Sequence, residues 1–183
     1  TINYHQNNSY GLDEHCDNAR DKIQEALENY GVDIHFITGG TLTNLTFLSH
    51  ALRPYEAVIS ADTGHINTHE TGAIEASGHK VLSIPCTDGK LTADLIRPVL
   101  KQHENEHWVE PRLVYISLPT ELGTVYTKEE LEKLYQFCKR HNLYLYIDGA
   151  RLAMALAVEE TQLTLKDLPD LCDAFYIGGT KNG

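Results

Sequence analysis

Three charged residues stand directly after predicted strands, which is an unusual place for a set of charges. Asp148 and Arg151 follow the apolar run 143–147. Lys181 follows the next apolar run, 174–177, within the sequence Gly-Gly-Thr-Lys-Asn-Gly. A bare strand end needs neither two cations nor a carboxylate, whereas a site for a charged ligand does. Because a desolvated lysine amine can form an imine with a carbonyl compound, the pattern predicts a site for a charged carbonyl ligand.

The neighbouring sequence favours pyridoxal phosphate as that ligand. A carboxylate such as Asp148 can pair with the protonated ring nitrogen of this cofactor. The Gly-Gly-Thr sequence at 39–41 follows the apolar run 34–37 and opens a predicted helix. The free N–H groups and the dipole at such a helix start suit a phosphate. On its own this turn fits a plain strand-to-helix connection equally well, and it matches neither the Walker loop nor the pattern G-x-G-x-x-G.

Five short motifs, taken together and in this order, resemble the threonine aldolase/β-eliminating lyase group of pyridoxal phosphate enzymes. The resemblance looks closest to the branch that contains phenylserine aldolase-like proteins. The five motifs in this order are a much more specific signal than any single motif. The motifs are TGGTxTN at 38–44, GHxxxxETGA at 64–73, TELGT at 120–124, DGARL at 148–152 and GGTKNG at 178–183.

The resemblance implies a role for each candidate residue. Lys181 would hold pyridoxal phosphate as an imine, and Asp148 would keep the ring nitrogen protonated. His65 would stack on the ring and act as the base, which makes these three the implied catalytic residues. Arg151 would bind the substrate carboxylate with its planar set of donors, and Thr180 would offer its hydroxyl to the phosphate. The implied phosphate cradle consists of Gly39, Gly40 and Thr41.

Each of the charged residues also has a purely structural alternative. Lys181, taken alone, is equally typical of an exposed surface. Asp148 can cap the segment that begins at Gly149, and the stem of Arg151 can lie along the surface with only its head in water. The other motifs in the same chain favour the functional interpretation.

The motif around His65 leaves a metal site as a further alternative. His65 and His69 stand four residues apart and can share a helical face, but the full zinc-protease pattern is absent. We expect no metal ion here, and we expect His69 to be structural. Glu70 is expected to orient His65 or a water molecule. Asn44 is expected to fix the turn at 39–43 rather than contact substrate.

The activity implied by the resemblance is retro-aldol cleavage of a β-hydroxy-α-amino acid to glycine and an aldehyde. Threonine, allo-threonine and phenylserine are the implied types of substrate. The same residues leave β-elimination and transamination open, and a noncatalytic subunit that binds pyridoxal phosphate is a further alternative. The resemblance also implies a small-molecule amino acid substrate and a homodimer or homotetramer with shared active sites.

Alternating strand-like and helix-like segments predict an α/β fold. With 183 residues, 42% of them hydrophobic, the chain can bury one core, and we expect a single domain with three α/β/α layers and a mostly parallel sheet. The resemblance implies the large domain of the fold type I, aspartate aminotransferase-like architecture. The predicted strands are 32–37, 57–60, 81–84, 113–118, 143–147 and 174–177, and the predicted helices are 13–30 (stopped by Gly31), 43–52, 65–77, 92–103 and 127–138.

Two parts of the family pattern do not occur in this sequence. Family members carry an N-terminal strand with a Ser-Asp-type motif, which is not found before Tyr10. They also continue beyond the imine lysine into a smaller domain with a second carboxylate-binding arginine. We therefore expect residues 1–183 to be a pyridoxal phosphate-binding large domain that is incomplete at both ends.

Charge and cysteine usage bear on the surroundings of the protein. A net charge of −11 argues against a nucleic-acid or anionic-membrane partner, and no apolar run approaches the roughly 20 residues that a membrane helix needs. The first ten residues lack the pattern of a secretory signal. Four scattered cysteines without a C-x-x-C pair favour reduced thiols in a cytoplasmic protein; they are Cys16, Cys86, Cys138 and Cys172.

Overall fold

A five-stranded sheet forms the centre of the computed structural model, which describes residue 4 and residues 6–181. The strands are β1 (Glu56–Ala61), β2 (Val81–Ile84), β3 (Glu110–Ser117), β4 (Tyr144–Asp148) and β5 (Ala174–Phe175). They lie in the order β2-β1-β3-β4-β5, and every neighbouring pair is parallel. The carboxyl ends of the strands therefore meet along one edge, which is where sheets of this kind bind ligands.

Helices cover both faces of the sheet and confirm the predicted three layers. Successive strand residues point to opposite faces, so that Ile59 and Leu145 join one apolar cluster while Val58 and Tyr146 join the other. Helices α5, α6 and α7 pack on the first cluster, and α2, α3 and α4 on the second. The helices are α1 (Glu14–Leu27), α2 (Gly40–Ala51), α3 (His65–Thr68), α4 (Ala73–Ala76), α5 (Ala93–Gln102), α6 (Lys128–Arg140) and α7 (Leu152–Leu156), with two 3₁₀ helices at Glu159–Thr161 and Leu165–Asp170.

The start of α6 is set by a capping box. The Thr127 hydroxyl accepts a hydrogen bond from the backbone N–H of Glu130 (3.2 Å). The Glu130 carboxylate in return accepts one from the backbone N–H of Thr127 (2.8 Å). Two of the free N–H groups at the helix start are thereby paired.

The predicted strand at 32–37 is wrong. This segment has no strand alongside it, and side chains of α1 bind its carbonyl groups instead. Gln24 donates to the Val32 oxygen (3.2 Å) and Arg20 to the Ile34 oxygen (3.2 Å). Phe36, which the pattern placed in a sheet, remains 48% exposed. An apolar run becomes a strand only when a neighbour is present to complete its hydrogen bonds.

Two helices have bounds in the structure that differ from the predicted ones. Helix α1 ends before Glu28, which adopts a left-handed conformation (φ 50°), so Gly31 is not the stop. The predicted helix 65–77 is divided into α3 and α4. Thr71 (φ 51°) and Gly72 (φ 74°) both have left-handed backbones, which the right-handed helix cannot accommodate.

The cysteines are free thiols. Burial raises the pKa of Cys86 to about 11 and the pKa of Cys138 to about 12. Both side chains are therefore neutral and unreactive at physiological pH. None of the helices in the described part of the chain is both long enough and apolar enough to cross a membrane.

Candidate active site

The carboxyl edge of the sheet brings most of the predicted site residues together around one cavity. The cavity has a volume of about 190 Å³. Gly39 lies outside it, in a neighbouring groove of about 810 Å³ between the segment 31–40 and the segment 172–180. The predicted residues that line the cavity are Gly40, Thr41, His65, Asp148, Arg151, Thr180 and Lys181. Its other lining residues are Ser117, Pro119, Glu121, Ala150, Tyr176 and Gly178.

Asp148 is the last residue of β4 and is only 4% exposed. Its Oδ2 atom accepts hydrogen bonds from the Tyr115 hydroxyl (2.6 Å) and from Asn44 Nδ2 (3.0 Å). Its Oδ1 atom accepts one from the backbone N–H of Ala150 (3.0 Å). Three donors on two oxygens fix the orientation of the carboxylate at the wall of the cavity.

Two buried tyrosines lie beneath the cavity. Burial raises the pKa of Tyr115 well above its ordinary value, and the charge of Asp148 raises it further. Burial also raises the pKa of Tyr146, again with a contribution from Asp148. Both hydroxyls are therefore protonated at neutral pH and act as hydrogen-bond donors.

His65 is held at both its backbone and its ring. The backbone N–H donates to Glu121 Oε1 (2.9 Å), an oxygen that also accepts from the Ser117 hydroxyl (2.5 Å). The ring Nδ1 lies 2.8 Å from Glu70 Oε1. The imidazole stacks on that of His69, with ring centroids 5.5 Å apart. The side chain of His65 is one-third exposed, so it can reach a ligand in the cavity.

Around the cavity, two segments of the backbone come so close together that only glycine fits. A Cβ atom at Gly149 would lie 2.0 Å from the carbonyl oxygen of Tyr176, and one at Gly178 would lie 2.7 Å from that of Ala150. These two glycines let the chain after β4 pass directly against the chain after β5. A Cβ atom at Gly40 would lie 2.9 Å from the Tyr176 hydroxyl. Larger residues at these positions would displace the walls of the cavity.

Helix α2 begins at Gly40, with Gly39 as its N-cap, so its first backbone N–H groups have no partner within the helix. Thr43 holds this turn, because both its backbone N–H (2.9 Å) and its hydroxyl (2.8 Å) donate to the Gly39 oxygen. The expectation that Asn44 fixes the turn is therefore wrong.

Asn44 instead lies on the buried face of α2 and is fully buried. Its Nδ2 atom donates to Glu70 Oε1 (2.7 Å) and to Asp148 Oδ2 (3.0 Å). Its Oδ1 atom accepts from the Tyr146 hydroxyl (3.0 Å). The residue connects the carboxylate beside His65 with the carboxylate at the end of β4.

Arg151 and Lys181 both line the cavity. Within residues 6–181 neither cation forms an ion pair with a carboxylate. Among the described residues both cations therefore lack a carboxylate partner, and their roles toward a ligand stay predictions.

This set of groups fits pyridoxal phosphate. The buried carboxylate of Asp148 suits a protonated ring nitrogen, and the free N–H groups at the start of α2 suit a phosphate. Lys181 would supply an amine for the aldehyde. A Cβ atom at Gly40 or at Gly178 would collide with Tyr176 or Ala150, so glycine at these positions preserves the walls of the cavity.

Three side chains of the same site carry atoms that can bind a metal ion. Atoms of His65, Glu70 and Asp148 lie within 4.8 Å of one another. However, the Asn44 amide already donates a hydrogen bond to one oxygen of each carboxylate. A cation bound by these same oxygens would compete with that amide for their lone pairs.

Several residues of the site were not predicted from the sequence. Tyr115 and Ser117 stand two residues apart on β3, and Tyr146 and Asp148 stand two apart on β4, so each pair shares a face. This polar alternation in otherwise apolar strands is a signal that could have identified the two tyrosines. Tyr176 has no such signal.

Comparisons with known proteins agree with these features. The family model for β-eliminating lyases matches residues 4–183. A low specificity L-threonine aldolase from Pseudomonas sp. (strain NCIMB 10558) is 36% identical over 186 residues, covering 99% of this chain and 53% of that protein. A solved structure of Leishmania major threonine aldolase is 55% identical, with a TM-score of 0.94 over 96% of this chain and 51% of that chain. The chain thus spans about half the length of the relatives it matches.

A more distant structure extends the likeness of fold. A putative L-allo-threonine aldolase from Listeria monocytogenes has a TM-score of 0.72 at 22% identity, over 94% of this chain and 46% of that chain. At this identity the likeness concerns the fold alone. Together with the parallel sheet and the Leishmania major structure, it confirms the predicted fold type I class.

Proposed function

The chain belongs to the β-eliminating lyase family, and we propose that it forms a pyridoxal phosphate site for cleaving β-hydroxy-α-amino acids. The products are glycine and an aldehyde, and threonine-type amino acids are the substrates. Support comes from the relatives, which are named as threonine aldolases. Residues 1–183 are, in this proposal, the cofactor-binding large domain of the full-length protein.

The observation that carries this proposal is the buried carboxylate of Asp148 at a cavity that also contains Arg151 and Lys181. Bound pyridoxal phosphate supplies an electron sink for the electrons released when the Cα–Cβ bond breaks. Asp148 favours a positive charge on the ring nitrogen, which strengthens that sink. Tyr115 and Asn44 hold the carboxylate in place for this contact.

Other residues that line the cavity are suited to the phosphate and the aldehyde of the cofactor. The backbone N–H groups of Gly40 and Thr41 belong to the first turn of α2, where they and the helix dipole attract an anion. The hydroxyl of Thr180 lines the same cavity and is a further donor. Lys181, the next residue, is the amine to which the cofactor is attached.

His65 is the base that takes the proton from the β-hydroxyl group of the substrate. Its Nδ1 atom is engaged by Glu70, so Nε2 is the nitrogen left for the substrate. A positioned imidazole of this kind contributes about 10²- to 10⁴-fold to the rate. Glu70 fixes the ring and stabilises the positive charge that develops on it.

Arg151 binds the carboxylate of the amino acid. Its guanidinium group presents several donors in one plane, which matches a carboxylate in a two-point contact. Because Arg151 follows Asp148 by three residues, one short segment positions both the ring and the substrate. This arrangement fixes the direction of the bond to be broken.

We further propose that the full-length protein is a homodimer or homotetramer in which two subunits share each active site. The pair Tyr10-Gly11 resembles a Tyr-Gly pair at the subunit boundary of the family, and Tyr10 is 97% exposed. Light scattering coupled to size-exclusion chromatography measures the assembly. A strictly monomeric, fully active enzyme would contradict the shared site.

The reaction is tested by incubating the full-length protein and pyridoxal phosphate with threonine, allo-threonine and phenylserine. We expect glycine and the matching aldehyde in equal amounts. Ammonia with a keto acid would instead identify β-elimination, and a substrate-dependent keto acid without ammonia would identify transamination. Bound cofactor without any product would indicate a noncatalytic subunit.

A matched pair of lysine variants provides the control. Lys181→Ala should lose the activity, whereas Lys101→Ala, on the exposed surface of α5, should retain it. Equal loss in both variants would point to general damage rather than to the proposed site.

A further inference from the structure

We propose that Asn44 is a positioning residue that clamps the two buried carboxylates of the site, Glu70 and Asp148, in one fixed arrangement. Asn44 does not line the cavity, and it acts through these two side chains. The catalytic meaning of the clamp rests on the proposed function. The clamp itself is a property of the folded chain and can be tested without turnover.

The orientation of the Asn44 amide follows from its partners. Glu70 and Asp148 offer carboxylate oxygens, which in their charged form only accept hydrogen bonds. Nδ2 must therefore face the carboxylates, and its two hydrogens are both used, at 2.7 and 3.0 Å. The Tyr146 hydroxyl donates to Oδ1 from the other side (3.0 Å). Because burial raises the pKa of Tyr146, this hydroxyl stays a donor and prevents the amide from flipping.

Glu70 depends on this amide for its position. Its Oε1 atom is shared by Asn44 Nδ2 (2.7 Å) and by His65 Nδ1 (2.8 Å). Its Oε2 atom is buried without a hydrogen-bond partner in the described part of the chain. With only one oxygen bound, the carboxylate has a single anchor besides the imidazole itself. Removing Asn44 would leave the Glu70 carboxylate with the His65 imidazole as its only hydrogen-bond partner among the described residues.

A neutral residue with two N–H bonds can serve both carboxylates from this position. Glu70 is 2% exposed and Asp148 is 4% exposed, so both negative groups are largely removed from water. Oxygens of the two groups lie within 4.8 Å of each other. Like charges at this distance repel strongly in a buried site. The two N–H bonds of one amide, pointing in different directions, stabilise both carboxylates without adding a charge.

The test uses Asn44→Leu in the full-length protein, because leucine has a similar size but no polar atoms. The first measurement is the imidazole N–H signal of His65 in cofactor-free protein labelled with ¹⁵N-histidine. We expect wild-type protein to show an Nδ1–H signal protected from solvent exchange and Asn44→Leu to lose it. The second measurement is the dissociation constant of pyridoxal phosphate, which we expect to rise about 10- to 100-fold, as for a buried polar group left unpaired.

Two further variants complete the experiment. Asn67→Leu makes the same chemical change at an exposed position of α3 and should alter neither measurement. Asn44→Asp keeps the shape and the acceptor for Tyr146 but replaces the donors with a third carboxylate. It should show the same two losses, and it takes the place of Asn44→Leu should that variant not fold.

The proposal is overturned if an Asn44 variant that folds retains both the protected His65 signal and wild-type cofactor affinity. Loss of only one of the two would also overturn it, because Asn44 would then serve a single carboxylate. Neither measurement requires turnover. A failure of the proposed reaction is therefore distinguishable from a failure of the clamp.

Discussion

The Tyr115 hydroxyl donates a 2.6 Å hydrogen bond to Asp148 Oδ2 from the neighbouring strand. Ser117 and Asp148 are directly paired in the register of β3 and β4, so Tyr115 stands one pleat below the carboxylate. This relationship places a hydroxyl donor, whose pKa burial raises well above its ordinary value, beside the Asp148 carboxylate and fixes the position of that carboxylate before any ligand binds. A site organised in this way needs little rearrangement on binding.

Replacing Asp148 by Asn is expected to separate cofactor binding from turnover. The side chain keeps its shape and can still accept from Tyr115, but it no longer favours a positive ring nitrogen. We expect the cofactor to bind while kcat falls at least about 100-fold, as when a preorganised electrostatic contact is lost. Steady-state kinetics and a cofactor titration measure the two effects. Asp21→Asn, on the exposed face of α1, is the control, and near-normal kcat in Asp148→Asn would refute the role.

Lys181 is expected to be the point of attachment of the cofactor. Reduction of the full-length holoprotein with borohydride should fix pyridoxal phosphate to this residue, because its amine lines the cavity without a competing carboxylate among the described residues. Peptide mapping by mass spectrometry locates the label. A label on another lysine, or none at all, would disprove the assignment.

Substitutions at His65 distinguish ring stacking from metal binding. A flat ring at this position should retain the cofactor, so we expect His65→Phe to bind pyridoxal phosphate more tightly than His65→Ala. Both variants should lose about 10²- to 10⁴-fold in kcat, since neither provides a base. A chelator should leave wild-type activity intact. Loss of activity with the chelator and its recovery with zinc would instead support a metal site formed with Glu70 and Asp148.

Buried tyrosines are expected to limit stability at high pH. Burial holds the pKa of Tyr115, Tyr126 and Tyr146 well above the ordinary value of 10.0. Above that value the unfolded chain releases protons that the folded chain keeps, so the free energy of unfolding decreases as pH rises. In this window each tyrosine lowers the free energy of unfolding by about 1.4 kcal/mol for each pH unit. Below pH 10 the stabilisation from the buried, protonated tyrosine is fully present.

Urea unfolding from about pH 9 to about pH 12, followed by fluorescence, measures this slope. Tyr126 lies away from the cavity. The variant Tyr126→Phe should therefore reduce the pH dependence of the free energy of unfolding by the amount that one tyrosine causes. Tyrosinate absorbance that develops fully before unfolding would show that these hydroxyls are accessible, contrary to the expectation.

Most of the sheet could be predicted from the sequence because its strands carry apolar residues on both faces. The runs 57–60 and 81–84 lie within β1 and β2, and 143–147 overlaps β4. The run 32–37 also carries apolar residues, yet its carbonyls are bound by α1 side chains. The local pattern of apolar residues indicates that a segment favours burial. To form a strand, the segment also needs a neighbouring strand from elsewhere in the chain.

In the candidate site, too, some positions could be predicted from the sequence and others could not. Asp148, Arg151 and Lys181 could be predicted because parallel strands place their ends at one edge. The position of Asn44 could not, because it depends on which face α2 turns toward the sheet. Its partners Glu70 and Asp148 are 26 and 104 residues away in sequence.

The hydrogen bond between Asn44 and Asp148 closes a loop of the chain that contains α2, the first four strands and the helices between them. Closing such a loop is entropically costly, so the cavity forms only when nearly the whole domain has folded. A cofactor that binds only this state stabilises the entire domain by mass action. Cofactor binding should therefore slow amide hydrogen exchange even in strands such as β2, at the far edge of the sheet, which never touch the ligand.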